Sequence, residues 1–343
     1  FLQQLFYIKE NRMCGIFGSI SINKNLQINR KLFLKSLSLL SHRGPDDEGH
    51  FINNKIAFGH KRLSIIDLSK GGHQPMFSNN KSSVITYNGE IYNYNELKDD
   101  LKYKGYKFQN KTDTEVLLNG LIDEGPKFVT KCNGMFAFAF YNKNTRSSYI
   151  FRDRIGIKPL FYSIDNEKVT FSSNLKAIAS YFQNQNRINE ESISAYFSFR
   201  QPLGNKTFYK NIYSLDPGHY IEIKNKKVKI KKYWDQKKFF SQNKLDKGEN
   251  YYIEKLSELI ESSVKYRLIS DVKVASLLSG GLDSSIIAAI IKKQIGKNFL
   301  AYSIGYSYKD YNEFKYSKLV AKNLNMNHKI ISTTAEDYFD DMN

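Results

Sequence analysis

The chain has 343 residues, which points to two domains at roughly 100–200 residues each. Its 41% hydrophobic and 25% charged content supplies material for real cores and argues against disorder. The net charge of +18 raises nucleic acid or an acidic membrane surface as partners, but the lysines are scattered, so solvated basic faces are the simpler reading and neither partner is expected.

The longest purely apolar run, 135–141, is far shorter than the ~20 residues needed to span a bilayer. Two cysteines, Cys14 and Cys132, make no disulfide framework, and with six histidines they show no zinc-ligand spacing. The apolar start, 1–8, lacks the basic residues and cleavage site of a signal peptide. A reducing cytoplasm is the expected compartment.

In chain order, Phe1 opens the sequence and the first methionine is Met13, followed directly by Cys14. Residues 1–13 therefore read as an upstream extension or a mis-assigned start. Short apolar or alternating runs at 14–20, 55–60, 83–87, 134–141, 148–152, 168–172 and 219–223 predict strands, separated by turn clusters such as 79–81 and 165–167. In 224–232 lysines alternate with Val228 and Ile230, as in an edge strand with its charges facing water. Helices are predicted over 30–40, 95–104 and 114–124. This mixture implies an α+β domain of packed sheets over 14–234.

A polar linker is expected at 235–250. After it Ile253, Leu256, Ile260, Val264 and Leu268 follow helical spacing. Strands are predicted at 272–278 and 299–304, and helices at 284–292 and 314–324. Such β-α-β-α alternation predicts a parallel nucleotide-binding sheet over 251–343. Two strands are only part of such a sheet, and the chain is expected to be a piece of a longer protein.

The first strand of this second domain runs into Leu278-Ser279-Gly280-Gly281-Leu282-Asp283-Ser284-Ser285. Two glycines let the backbone approach an anion, and serine hydroxyls and the N–H groups of the following helix point at it. No Gly-Lys-Ser/Thr ending follows, so this is not a Walker loop. The plainer alternative is a Gly-Gly turn with Ser284 as helix cap. The whole string at a strand-to-helix junction resembles the pyrophosphate loop of ATP pyrophosphatases. That resemblance implies ATP, with Asp283 partnering Mg²⁺ beside the phosphates.

Cys14 offers a second chemistry. If Met13 is removed, Cys14 carries a free α-amine whose pKa of about 7.7–8.0 suits it as base for its own thiol. A small buried strand residue is the alternative from this segment alone. Downstream, in order, come His42-Arg43-Gly44-Pro45-Asp46, Arg62-Leu63-Ser64-Ile65-Ile66-Asp67, Gln74-Pro75-Met76, Tyr87-Asn88-Gly89-Glu90-Ile91-Tyr92-Asn93, Thr112-Asp113-Thr114-Glu115 and Arg152-Asp153-Arg154-Ile155-Gly156-Ile157-Lys158-Pro159-Leu160. Together with the pyrophosphate loop, these resemble the glutamine-hydrolysing asparagine synthetases, from Met13 to the last residue.

The resemblance implies an N-terminal-nucleophile sandwich of packed antiparallel sheets with helices, followed by a partial α/β parallel-sheet nucleotide-binding domain. It implies ligation of ammonia from glutamine to aspartate at the expense of ATP, releasing glutamate, AMP and pyrophosphate. Cys14 is then the nucleophile, with Asn88 and Gly89 as the oxyanion hole. Arg62, Leu63, Ser64, Ile65 and Ile66 line the carboxylate end of glutamine, and Glu90 and Asp113 hold its ammonium. Leu278, Ser279, Gly280, Gly281, Asp283, Ser284 and Ile304 meet ATP. Glu313 matches an acidic position of the family with a less definite role. Lys61 departs from the pattern, where His is frequent. An amidotransferase acting on another carboxylate, such as one on a surface sugar, stays open, as does a homodimer. A basic binding protein without catalysis is disfavoured by the lack of an aromatic-basic platform.

Overall fold

A computed structural model describes residues 13–22, 28–183, 187–240, 246–296, 299–306, 312–334 and 337. Of the expected extension, only Met13 falls among them. The chain forms two compact units, one over Asn11–Asn243 and one over Lys244–Asn343.

The first unit is built from β1 (Gly15–Ser21), α1 (Arg30–Ser38), β2 (Asp47–Ile52), β3 (Ile56–Arg62), β4 (Met76–Phe77), β5 (Ser83–Ile91), α2 (Tyr94–Tyr103), α3 (Asp113–Glu124), β6 (Gly134–Asn142), β7 (Ser147–Arg152), β8 (Phe161–Ile164), β9 (Lys168–Ser172), α4 (Leu175–Phe182), α5 (Glu190–Phe199), β10 (Tyr213–Ser214), β11 (His219–Lys224) and β12 (Lys227–Lys232), with a short α6 (Lys237–Phe240) after them. Two six-stranded antiparallel sheets result, in the orders β10-β8-β9-β1-β3-β2 and β12-β11-β7-β6-β5-β4.

Strand periodicity builds three core layers from these two sheets, because alternate side chains leave opposite faces. On β1, Ile16 and Ile20 face a middle layer with Val84, Ala137, Ala139 and Ile150 of the other sheet. Phe17, between them, instead packs with Phe33 and Leu37 of α1 and Ile178 of α4. On β6 the roles divide by size. Ala137 and Ala139 face the middle layer, whereas Phe136, Phe138 and Phe140 join Leu97, Leu101, Val116 and Leu117 of α2 and α3. The small residues let two sheets approach, and the phenylalanines fill the space under the helices. The product is an α-β-β-α sandwich with β12 at a sheet edge, where lysines alternate with half-buried Val228 and exposed Ile230.

The second unit contains α7 (Glu249–Arg267), β13 (Ala275–Leu277), α8 (Leu282–Ile295), β14 (Leu300–Tyr306), α9 (Phe314–Asn323) and β15 (Asn327–Thr333). Its sheet is parallel, in the order β13-β14-β15. Three strands thus replace the two expected. β15 escapes the pattern because it mixes polar and apolar residues and none of them is fully buried. Two small clusters hold the unit together, Val264, Ile291 and Phe299 in one, and Leu278, Ala288, Ala301 and Ala321 in the other. The stripe of α7 is only partly used: Val264 is buried, but Ile253 and Leu256 are 55% and 58% exposed.

Candidate active sites in the two units

Cys14 stands at the head of β1, just before the ladder begins with Gly15 opposite Lys61. Its backbone carbonyl accepts a hydrogen bond from Arg43 Nε (3.1 Å). Its Sγ accepts one from the backbone N–H of Leu63 (3.3 Å), which follows β3, and lies 3.4 Å from the Leu63 carbonyl. Burial pushes the thiol above its ordinary pKa. The Leu63 N–H and the cations of Lys158 and Arg62 pull it back, and Glu90 adds to the rise.

Asn88, Gly89 and Glu90 lie on β5, which leaves Asn88 and Glu90 on one face. Both are almost fully buried. Asn88 Nδ2 donates to Ser173 Oγ (3.5 Å), and the same oxygen accepts the N–H of Ile16 (3.1 Å). One serine therefore ties Asn88 to the strand that carries Cys14. At Gly89 a Cβ would lie 2.4 Å from the Met135 carbonyl oxygen and 2.7 Å from Phe136 Cα, so only glycine lets β5 lie this close to β6.

Asp113 is the first residue of α3, capped by Thr112, whose Oγ1 accepts from the N–H of Glu115 (3.2 Å). Asp113 Oδ2 accepts from the Tyr87 hydroxyl (2.6 Å) and from the Ile91 N–H (2.9 Å). Burial raises its pKa against these bonds, which lower it.

Arg62 is buried and turned toward its own loop. Nη1 donates to the Ser69 carbonyl (3.1 Å), and Nη2 to those of Ile66 (3.3 Å) and Asp67 (2.5 Å). Gly72 closes over it, where a Cβ would meet Nη2 at 1.8 Å. Guanidinium forks need either Nε with Nη2 or the two Nη groups together. Both protons of Nη2 are occupied by the loop. Leu63, Ser64, Ile65 and Ile66 form this loop, and Ser64 N–H donates to Asp46 Oδ2 (2.8 Å). Lys61, where His is frequent in the family, pairs with Glu48.

Residues missed by sequence reasoning hold the site. Ser173, at the end of β9, had no motif to mark it. Asp153 is one member of the charged string Arg152–Leu160, with nothing in the string to single it out. Its buried carboxylate accepts four backbone N–H groups, from Phe136 (3.2 Å), Ile155 (3.2 Å), Ile157 (2.9 Å) and Lys158 (2.9 Å). The density of charge in 152–158 was the available signal.

In the second unit, Leu278 leaves β13 buried, its N–H donating to the Tyr302 carbonyl (2.7 Å). Gly280 follows at φ +88°, and a Cβ there would lie 2.4 Å from the Tyr316 carbonyl carbon at the start of α9. Ser279 Oγ accepts from the Gly281 N–H (3.2 Å) and lies 2.9 Å from Ser284 Oγ. Ser285 Oγ donates to the Gly281 carbonyl (2.7 Å). Ser284 is buried, whereas Gly281 and Asp283 are exposed at the N-terminal end of α8. Ile304 is 54% exposed on β14, and Glu313 stands just before α9. Among the described residues no group of three or more His, Cys, Asp or Glu side chains is placed to hold a metal, so Asp283 would need phosphate oxygens to complete a Mg²⁺ site.

An α-β-β-α sandwich with a cysteine heading an inner strand is the architecture of the N-terminal-nucleophile amidotransferases. Residues 13–234 match the glutamine amidotransferase domain, and the chain belongs to that family. Residues 255–343 match the asparagine synthase family. The chain is 34% identical over 335 residues to asparagine synthetase [glutamine-hydrolyzing] 1 of Bacillus subtilis, covering 96% of this chain and 52% of that protein. It is 34% identical over 282 residues to asparagine synthetase B [glutamine-hydrolyzing] of Escherichia coli, covering 82% and 45%. The chain thus spans about half the length of these curated relatives. Among solved structures it is similar to the glutamine phosphoribosylpyrophosphate amidotransferase of B. subtilis complexed with ADP and GMP, at 15% identity and a TM-score of 0.49, covering 92% of this chain and 65% of that one.

Proposed function

We propose that the first unit hydrolyses glutamine and that the second takes part in ATP-dependent transfer of the released ammonia to aspartate, giving asparagine, AMP and pyrophosphate. The observation that carries the reading is Cys14 at the head of β1, its Sγ on the Leu63 N–H, with Asn88 joined to the same strand through Ser173.

In this reading Met13 is removed first. The α-amine of Cys14 then takes the thiol proton, and the sulfur attacks the side-chain amide carbon of glutamine. The oxyanion is held by Asn88 Nδ2 and the Gly89 N–H. Collapse expels ammonia with a proton returned from the amine, and water releases glutamate from the thioester. Glu90 and Asp113 face the substrate ammonium. Arg62 shapes the loop 63–69 at the carboxylate end of the substrate. In the second unit the exposed N–H groups around Gly281 and the serine hydroxyls suit ATP phosphates. Asp283 would offer one carboxylate toward a Mg²⁺ ion, which would supply neutralisation of the phosphate charge. A reducing cytoplasm keeps the Cys14 thiol competent. The domain limits in this reading are 14–234 and 251–343, with 235–250 between them.

The test compares the chain starting at Cys14 with the chain starting at Phe1, assayed for glutamate release. Activity is expected only when the amine of Cys14 is free. Equal rates would sink the self-base mechanism.

A further inference from the structure

The sequence string 152–160 is not used by the chemistry just described, yet it ends beside the nucleophile. Lys158 is 7% exposed, and its Nζ lies 3.5 Å from Met13 Sδ. Its backbone is fixed at both polar groups. The N–H donates to Asp153 Oδ2 (2.9 Å), and the carbonyl accepts from Arg152 Nε (3.0 Å). Arg152 is itself held, with Nη1 on Leu215 O (2.6 Å) and Nη2 on Gly156 O (2.9 Å). Gly156 makes the turn at φ +72°, where a Cβ would lie 2.9 Å from Pro217 Cγ. The loop has its backbone hydrogen bonds closed on Asp153 and Arg152, and aims one side chain at the residue preceding Cys14.

We propose that Lys158 is a positioning residue of the nucleophile, holding a cation in the neighbourhood of Cys14 at the head of β1. This rests on Cys14 being the nucleophile after Met13 is removed. Met13 directly precedes Cys14, so a cation against the Met13 side chain lies in the neighbourhood of Cys14. A positive charge disfavours the protonated amine and favours the thiolate.

The charged groups around Lys158 are Glu90 on β5, Arg43 after α1, Asp153 on its own loop and Cys14 just before β1. Burial lowers the Lys158 pKa and Arg43 acts in the same direction, whereas Glu90, Cys14 and Asp153 oppose them. The two carboxylates favour the charged form of Lys158. Glu90 is thereby shared between Lys158 and the substrate site. Burial alone would leave Cys14 a poor nucleophile, and Lys158 is the cation that offsets it from outside the glutamine-binding loop.

The experiment uses the chain beginning at Cys14 and follows two readouts against pH: alkylation of Cys14 by iodoacetamide, and kcat/KM for glutamine hydrolysis. Cys132 is buried with its thiol pushed up to about 12, so it does not compete for the reagent. In Lys158→Met the alkylation midpoint and the acidic limb of kcat/KM are expected to rise by about one unit. Lys158→Arg is expected to bring both back close to the parent values. Lys158→Gln serves as a second neutral variant should the Met variant fail to fold. Neutral variants that lose activity but keep both midpoints would overturn the proposal and leave Lys158 a structural residue. A shifted alkylation midpoint in a protein that does not hydrolyse glutamine would instead overturn the substrate reading and leave the role of Lys158 standing.

Discussion

His60 illustrates how burial sets the properties of a single side chain next to the site. It is fully buried on β3, and its Nε2–H donates to the Tyr87 carbonyl (3.0 Å). Nδ1 has no partner, so protonating it would bury an unmatched N–H. Burial accordingly lowers the His60 pKa to about 3. The unfolded chain binds this proton at an ordinary pKa near 6.5 and the folded chain does not, so the stability from neutral His60 is complete above 6.5 and lost as pH falls toward 3. Between pH 7 and 5 that loss amounts to about 2 kcal/mol. His60→Gln keeps a donor toward Tyr87 and removes the titration. Denaturant melts at pH 7 and pH 5 should therefore show a smaller drop for the variant. Equal drops would show that His60 is not the group responsible. The sequence could place His60 in a strand from the apolar run around it, but not show that one ring nitrogen would be left without a partner.

At the scale of elements, β5 is where fold and chemistry meet. Its ladder with β6 runs from Ser83 opposite Asn142 to Ile91 opposite Gly134 and leaves no room for a side chain at position 89. Gly89→Ala must push two backbones apart, at about 1–3 kcal/mol, and displaces Asn88 and Glu90 with them. The variant is expected to fold, melt at a lower temperature and lose at least tenfold in glutamine hydrolysis. Unchanged kcat/KM would mean that the β5 backbone contributes nothing to the oxyanion site. The strand was legible from the alternation in 83–87, but its continuation through the polar Asn88-Gly89-Glu90 was not. Those residues stay in the ladder, with Asn88, Gly89 and Glu90 opposite Ala137, Phe136 and Met135 of β6. Similarly, β2 and β8 escaped prediction. β2 is a mixed polar strand at a sheet edge, and β8 is only four residues long. The helix α4 is apolar and follows a strand directly; its start is set by Asn174, whose side chain accepts from the Lys176 N–H.

At the scale of the whole molecule, the proposed function divides the chemistry between two compact units. Gly280 sits in a left-handed conformation with the start of α9 against it, so Gly280→Ala should distort the phosphate loop. ATP affinity, measured by equilibrium binding, is expected to fall at least tenfold, while glutamate release is unchanged. Cys14→Ala is expected to do the reverse. Loss of both activities in either folded variant would contradict the division of labour.

The amino-acid sequence alone determined the two-part organisation, the antiparallel and parallel sheet classes, and the candidate nucleophile, because these depend on local period and short strings such as Met13-Cys14-Gly15 and Ser279–Ser285. The tertiary structure decided what those residues touch. It turned the fork of Arg62 onto its own loop, joined Asn88 to β1 through Ser173, added β15 to the sheet, and set Lys158 against Met13. These contacts link residues from 4 to 157 positions apart. No local pattern encodes such pairs, because burial and the closure of backbone hydrogen bonds between sheets exist only once the sandwich has formed.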